Sequence, residues 1–195
     1  MTSHKERLRR IRVLGVTAAL SVTLMAGGAA TAGATGPEPL YELIDAATER
    51  LLTADPVAAT KWINGGPITD PARARQVIDA VTADAAAAQL PTEYVARLFT
   101  DQINATEAIQ YSRFSWWKLE PEAAPVSAPD LSASRAVIDG LNRRMVSEIT
   151  ENWQVLQSPD CPLRLSAAKT TVADDRHLDP LYRHALDSAT RDYCG

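Results

Sequence analysis

From residue 39 onward, apolar residues recur every three or four positions and polar faces separate them. Leu40, Leu43, Ile44, Ala47 and Leu51 form such a stripe and predict a helix over 39–64, kinked by Pro56, with Asp55 capping its second half. Val77, Ile78 and Val81 predict a second helix over 71–88, opened by Asp70 as N-cap and Pro71 at the first helical position. Leu90-Pro91-Thr92 is a turn. A third helix follows over 91–118, with Tyr94, Leu98, Ile103, Ala105 and Ile109 facing inward. It ends in Tyr111, Phe114, Trp116 and Trp117, which we read as core packing rather than carbohydrate or membrane contact. Pro121, Pro125 and Pro129 mark 119–129 as a linker. Asp130 or Ser132 then opens a fourth helix that runs to about 157, with Val137, Ile138, Leu141, Met145, Ile149 and Trp153 at helical spacing. Two shorter helices are predicted over 162–174 and 179–193. Neither an alternating β-branched run nor an internal repeat appears. The expected fold is therefore all-α, about six helices in a single bundle-like domain.

The first 34 residues break this pattern. Lys5, Arg7, Arg9, Arg10 and Arg12 precede an apolar run from Val13 to Met25, too short to span a bilayer comfortably. A small-residue stretch follows, with cleavage expected near Ala32 or Ala34. This is the layout of a secretory signal peptide, so the domain occupies 35–195 and its expected location is outside the cytoplasm, secreted or in the cell envelope. Arg9-Arg10 is reminiscent of twin-arginine export, but the residues after it fit that pattern poorly.

Export changes the reading of charge and of cysteine. Of 20 basic and 24 acidic residues, five basic and one acidic lie in 1–34, which leaves 15 against 23 in the domain. Such an acidic domain is a poor partner for nucleic acid or, once the signal is removed, for an anionic membrane surface. A local cluster of arginines within it then reads as a site rather than a general field. Cys161 and Cys194 are the two cysteines, and in an oxidising compartment they are expected to pair. The alternatives, two free thiols or a metal pair, lack supporting His or Cys neighbours. His177 and His184 read as surface residues, and His4 lies in the leader.

Three cations stand out. Arg50 and Lys61 are eleven residues apart, three helical turns with roughly 20° of offset, so on one helix they share a face. Arg73 falls in the first turn of the next helix, and the Gly65-Gly66-Pro67 break lets the chain bring it back toward Lys61. On these residues alone, a solvated cationic face and a pocket for a small polycarboxylate both remain open. Thr106 and Gln110 add polar groups at i, i+4 on the third helix, and Arg135 adds a cation in the first turn of the fourth. Polar groups inside a bundle need partners, and a bound polyanion would supply them.

Taken in order, these residues resemble the all-helical (type II) chorismate mutases, and most of all the exported, disulfide-containing gamma subclass of actinobacteria. The resemblance rests on Arg50, Lys61, Pro67-Ile-Thr-Asp70 followed by Arg73, Tyr94-Val-Ala-Arg-Leu-Phe99 leading to Thr106-Glu-Ala-Ile-Gln110, and Leu131-Ser-Ala-Ser-Arg135. It implies an isomerase that converts chorismate to prephenate by an intramolecular Claisen rearrangement, with no cofactor and no metal. It further implies that Lys61 and Gln110 donate to the ether oxygen, that Arg50 and Arg135 clamp the carboxylates, and that Arg73 and Thr106 support them. Asp70 would offer its backbone N–H near the substrate hydroxyl. Some relatives carry Glu where Gln110 stands. Ala74 and Val77 occupy positions where relatives often present a polar side chain, with Arg75 or Gln76 as candidate replacements. The resemblance favours a homodimer in which each chain builds its own pocket. The competing readings are an exported, non-enzymatic helical binding or inhibitor protein with the same cationic pocket, and a carboxylate sensor.

Overall fold

The computed structural model describes residues 38–195. The expected signal peptide and its cleavage sites lie outside the described residues. The described residues form eight α-helices: α1 Tyr41–Leu52, α2 Ala54–Asn64, α3 Pro71–Ala87, α4 Thr92–Leu119, α5 Leu131–Glu151, α6 Trp153–Leu156, α7 Cys161–Asp175 and α8 Pro180–Ala189. A 3₁₀ turn, Pro121–Ala123, lies in the expected linker, and there is no strand among the described residues. None of the described helices is long and apolar enough to cross a membrane.

Eight helices stand where about six were expected because two of the predicted ones are interrupted. The first breaks at Thr53, between α1 and α2. Pro56 is the cause: it has no N–H for the carbonyl of Leu52, four residues earlier, so the defect surfaces one turn upstream of the proline. Asp55 does not cap the second half. The side chain of Thr53, the residue at the cap, donates to Arg50 O instead (2.7 Å). Asp55 receives Arg113 of α4 through two bonds, Nε to Oδ1 at 2.7 Å and Nη2 to Oδ2 at 3.1 Å. The second break lies at Asn152, whose side chain donates to Glu148 O (2.9 Å) and closes α5.

Helix α4, about 42 Å long at 1.5 Å per residue, is the spine of the bundle. It packs against α3, α8 and α2, while α1 lies against α5, α7 and α8. The core between them includes Leu43, Ile44, Leu98, Phe99, Ile109, Met145 and Ile149, all fully buried. Three expected inward positions, Val137, Tyr111 and Trp116, fall elsewhere. Val137 is exposed, because it lies on a different face of α5 from Ser134, Ile138 and Asn142, which turn toward the rest of the bundle. The aromatic end of α4 divides: Trp117 is buried and packs edge-on against Trp62 at 5.5 Å, whereas Tyr111 and Trp116 are exposed. Consecutive aromatics on a helix point about 100° apart, so Trp116 and Trp117 do not share one buried face.

A charged network fastens α1 to its neighbours. Asp45, largely buried, accepts Arg176 Nε (2.7 Å) beyond α7, and Glu49 accepts Arg176 Nη2 (2.6 Å). Arg144 of α5 reaches Glu42 (2.6 Å) and Glu49 (3.2 Å). Replacing Asp45 with alanine leaves two arginines without their most buried partner. We expect a loss of roughly 1–3 kcal/mol of stability, read from urea unfolding, with little change in activity. An unchanged midpoint would place the network among surface pairs of no energetic consequence.

Candidate active site

Arg50 occupies the last turn of α1, and Lys61 the last turn of α2. Both cations therefore sit where the helix dipole favours positive charge. Gly65 ends α2 in the left-handed conformation (φ 73°), which a side chain would resist. The loop it starts is pinned by the buried side chain of Ile68, whose carbonyl accepts Lys61 Nζ at 2.6 Å. Asp70 then caps α3, its Oδ1 accepting Arg73 N at 3.0 Å, with Pro71 at the first helical position. This short connection is what sets Arg73 opposite Lys61. Asp130 caps α5 by accepting from Ser132 N at 3.1 Å, so the helix begins at Leu131 and Arg135 falls in its second turn rather than its first.

These segments enclose one cleft of about 620 Å³, counted to its open mouth. Arg50, Lys61, Asp70, Arg73, Thr106, Gln110 and Arg135 all line it, together with Glu107 and an apolar floor that includes Val57, Ile68, Val77, Ile103 and Ile138. Four cations against two carboxylates, Asp70 and Glu107, make it electropositive. Ala74 and Val77 line it as apolar wall, whereas Arg75 and Gln76 are exposed on another face of α3 and do not replace the polar group that the resemblance called for.

The cations are held differently. Arg50 is 4 % exposed, and burial pulls its pKa down to about 10, which leaves it charged at neutral pH. Its Nε donates to Asn142 Oδ1 at 2.8 Å, its Nη1 to Thr106 Oγ1 at 3.3 Å, and its guanidinium lies 6.0 Å from the centre of the Phe99 ring. Arg73 is paired with Asp139 at 2.5 Å. Burial lowers the Lys61 ammonium below the ordinary lysine range, and Arg135 pushes the same way against the opposing pull of Glu107 and Asp70. Gln110 is buried, and its Oε1 has no hydrogen-bond partner among the described residues. The structure brings three residues into the site that the sequence reading missed. Glu107, in the cleft wall, accepts Thr69 Oγ1 at 2.9 Å. Asp139 and Asn142 stand behind the two arginines. Their signal was Arg135: Asp139 and Asn142 follow it by one and two helical turns on α5.

Cys161 and Cys194 form the expected disulfide. It joins the start of α7 to the tail beyond α8, and neither cysteine lines the cleft. His177 and His184 are exposed, and no group of metal-ligating side chains occurs among the described residues.

Comparison with known proteins fixes the family. The model for chorismate mutase type II matches residues 41–111. A secreted chorismate mutase of Mycolicibacterium smegmatis is 51% identical over 178 residues, 91% of this chain and 98% of that one. Its counterpart of Mycobacterium tuberculosis is 47% identical over 192 residues, 96% of each chain. Among solved structures, a chorismate mutase from Burkholderia phymatum superposes with a TM-score of 0.77 at 29% identity, over 81% of this chain and 97% of that one. Identity of this order over nearly the whole chain, joined to the all-helical fold and its cationic cleft, places the protein in the type II chorismate mutase family, beside the secreted mycobacterial members.

Proposed function

We propose that the protein is an exported isomerase that rearranges chorismate to prephenate in the cleft lined by Arg50, Lys61, Arg73, Gln110 and Arg135. The observation that carries the reading is the convergence of four cations from four helices on one small cleft with an apolar floor. Chorismate is a dianion, and its reaction needs no nucleophile, metal or proton transfer: one C–O bond breaks as one C–C bond forms within the same molecule.

Rate must then come from conformation and charge. Arg50 and Arg135, with Arg73 and Thr106 in support, hold the two carboxylates and select the compact conformer in which the reacting carbons meet. As the C–O bond stretches, negative charge grows on the ether oxygen, where Lys61 Nζ and the Gln110 amide N–H donate. Asp70 offers its backbone N–H to the substrate hydroxyl. Glu107, an acceptor in the same wall, is the group we assign to that hydroxyl's proton in place of the polar side chain missing from α3. Even a million-fold acceleration asks for about 8 kcal/mol, which fixed charges in a partly desolvated cleft can supply. Every group invoked comes from one chain, so pairing into a homodimer is not required for the chemistry.

The test is the loss of chorismate absorbance with purified protein, followed by acid conversion of the product to phenylpyruvate. Fast, saturable turnover without added metal or cofactor supports the reading. No turnover by a folded, disulfide-intact sample would favour a carboxylate-binding protein instead.

The pH profile is a second expectation. Gln110 donates in the same form at all accessible pH, so kcat/KM should stay level from mildly acidic through neutral solution. Lys61 must be protonated to donate. Its lowered pKa means that the charged form is lost earlier than for a free lysine as pH rises, so the alkaline limb should begin below the ordinary lysine value. In kcat the limb should move to higher pH, because a bound dianion restores the ammonium. A steep loss of activity between about pH 5 and 7.5 would contradict the role given to Gln110. Replacement of Gln110 by glutamate should create that acidic dependence, since a carboxyl donates only when protonated.

A further inference from the structure

Arg50 and Arg73 face the same cleft, yet α5 treats them in opposite ways. Asp139 gives Arg73 a carboxylate at 2.5 Å. One turn later on the same helix, Asn142 gives Arg50 a neutral carboxamide at 2.8 Å. The orientation of that amide is fixed by its partner: Arg Nε can only donate, so the Asn142 oxygen must face it. Asn142 is itself buried, and no carboxylate lies within ion-pair distance of Arg50 among the described residues. The remaining contact, Thr106 Oγ1, is also neutral, and that hydroxyl spends its proton on Gln102 O at 2.7 Å. Arg50 is therefore oriented on two sides by hydrogen bonds with no carboxylate in contact, and Asp139 attracts it only from beyond ion-pair distance.

A buried guanidinium with neutral neighbours is costly until an anion reaches it. We infer that Asn142 is a positioning residue whose neutrality makes Arg50 the dominant carboxylate clamp, while Asp139 holds Arg73 as a partly neutralised, secondary one. The inference rests on the proposed chorismate reading for its substrate. Its physical content concerns only which arginine is left free for a carboxylate. Asparagine is the suitable residue at 142. It accepts the same bond that aspartate would accept, in the same volume, without becoming the counter-ion that the ligand is meant to be.

The test is steady-state kinetics with chorismate and thermal unfolding of the wild type, Asn142→Asp and Asp139→Asn. Asn142→Asp supplies Arg50 with an internal carboxylate. It should keep or raise the thermal midpoint while raising KM at least tenfold, with kcat falling by less than KM rises, since the lost contact serves the bound substrate and the transition state alike. Asp139→Asn releases Arg73 and should lower KM. A wild-type KM for Asn142→Asp overturns the inference. So does a raised KM for Asp139→Asn, and that arm decides the matter if Asn142→Asp does not fold. If the wild type turns over no chorismate, the activity reading has failed by itself, and thermal shift with malonate then tests the inference. Malonate should stabilise the wild type and not Asn142→Asp. Equal shifts in the two, or no shift in the wild type, overturn it.

Discussion

Replacing Lys61 with alanine is expected to lower kcat for chorismate by about 10²–10³-fold, the usual cost of removing one donor aimed at developing negative charge, and to move the thermal midpoint by only a few degrees. The two halves of that expectation have separate origins. Lys61 Nζ has one protein partner, the carbonyl of Ile68 at 2.6 Å, and the side chain is only partly buried. Its pKa is lowered, so the fold disfavours the charged form relative to the unfolded chain. The sign follows: below the depressed pKa the ammonium subtracts from stability, and this penalty is relieved as pH rises through that value. Removing the ammonium therefore forfeits one hydrogen bond but relieves that penalty, and the net effect on stability is small. On the proposed mechanism nothing offsets its loss in the transition state, because the ether oxygen would then carry its charge beside Gln110 alone. A lysine on a solvated surface would change neither quantity when replaced. A folded Lys61→Ala variant with wild-type kcat would remove Lys61 from the chemistry.

The cleft was legible in the sequence as far as charge and spacing reach. Seven side chains chosen from Arg50 to Arg135 line one cavity. Spacing predicts Arg50 and Lys61 on one face of one helix, whereas the chain breaks between them at Thr53 and they project from two helices. They still converge because the interruption is a single residue in helical conformation, which bends the axis without reversing it. What spacing could not reach is the layer behind the arginines. Nothing in a sequence says that residue 139 should carry a carboxylate toward Arg73 while residue 142 carries an amide toward Arg50. That depends on how α5 is rotated against α1 and α3. Glu107 is hidden from spacing for a related reason: it sits between Thr106 and Gln110, and its direction into the wall is set by how α4 is rotated in the bundle.

The helices are legible in the sequence where a stripe of side chains meets a core, and less so at their ends. Asp70 and Asp130 cap α3 and α5 through their side chains, as their sequence context predicted. By contrast, α3 and α7 end on Gln89 (φ 60°) and His177 (φ 50°), residues that do not advertise a left-handed terminus as glycine would. Each is stabilised by a bond that skips back into the helix, Leu90 N to Ala85 O and Leu178 N to Ala173 O, both at 2.9 Å. Such ends are decided by the next apolar residue, Leu90 or Leu178, finding the core, both being buried there.

The largest stability effect is expected at the disulfide. Its two cysteines are 33 residues apart and enclose α7 and α8. On the chain-entropy model, opening that loop in the unfolded state costs the fold about 3–4 kcal/mol, or roughly a 10 °C fall in midpoint for a domain of this length. The double variant Cys161→Ala, Cys194→Ala should show that loss, and reduction of the wild type should match it. Activity measured well below the midpoint should survive, because the tail has other anchors. Tyr94 Oη donates to Tyr193 O at 2.5 Å, Gly195 N donates to Leu156 O at 3.1 Å, and Tyr193 is fully buried. One chain of contacts makes the measurement informative in both directions. The Tyr193 hydroxyl accepts Gln102 Nε2 at 3.5 Å, Gln102 O accepts Thr106 Oγ1, and Thr106 Oγ1 accepts Arg50. If these bonds hold without the covalent link, KM is unchanged and the disulfide serves stability alone. If a folded double variant instead shows a raised KM, the tail that Cys194 anchors is part of what holds Arg50 in place.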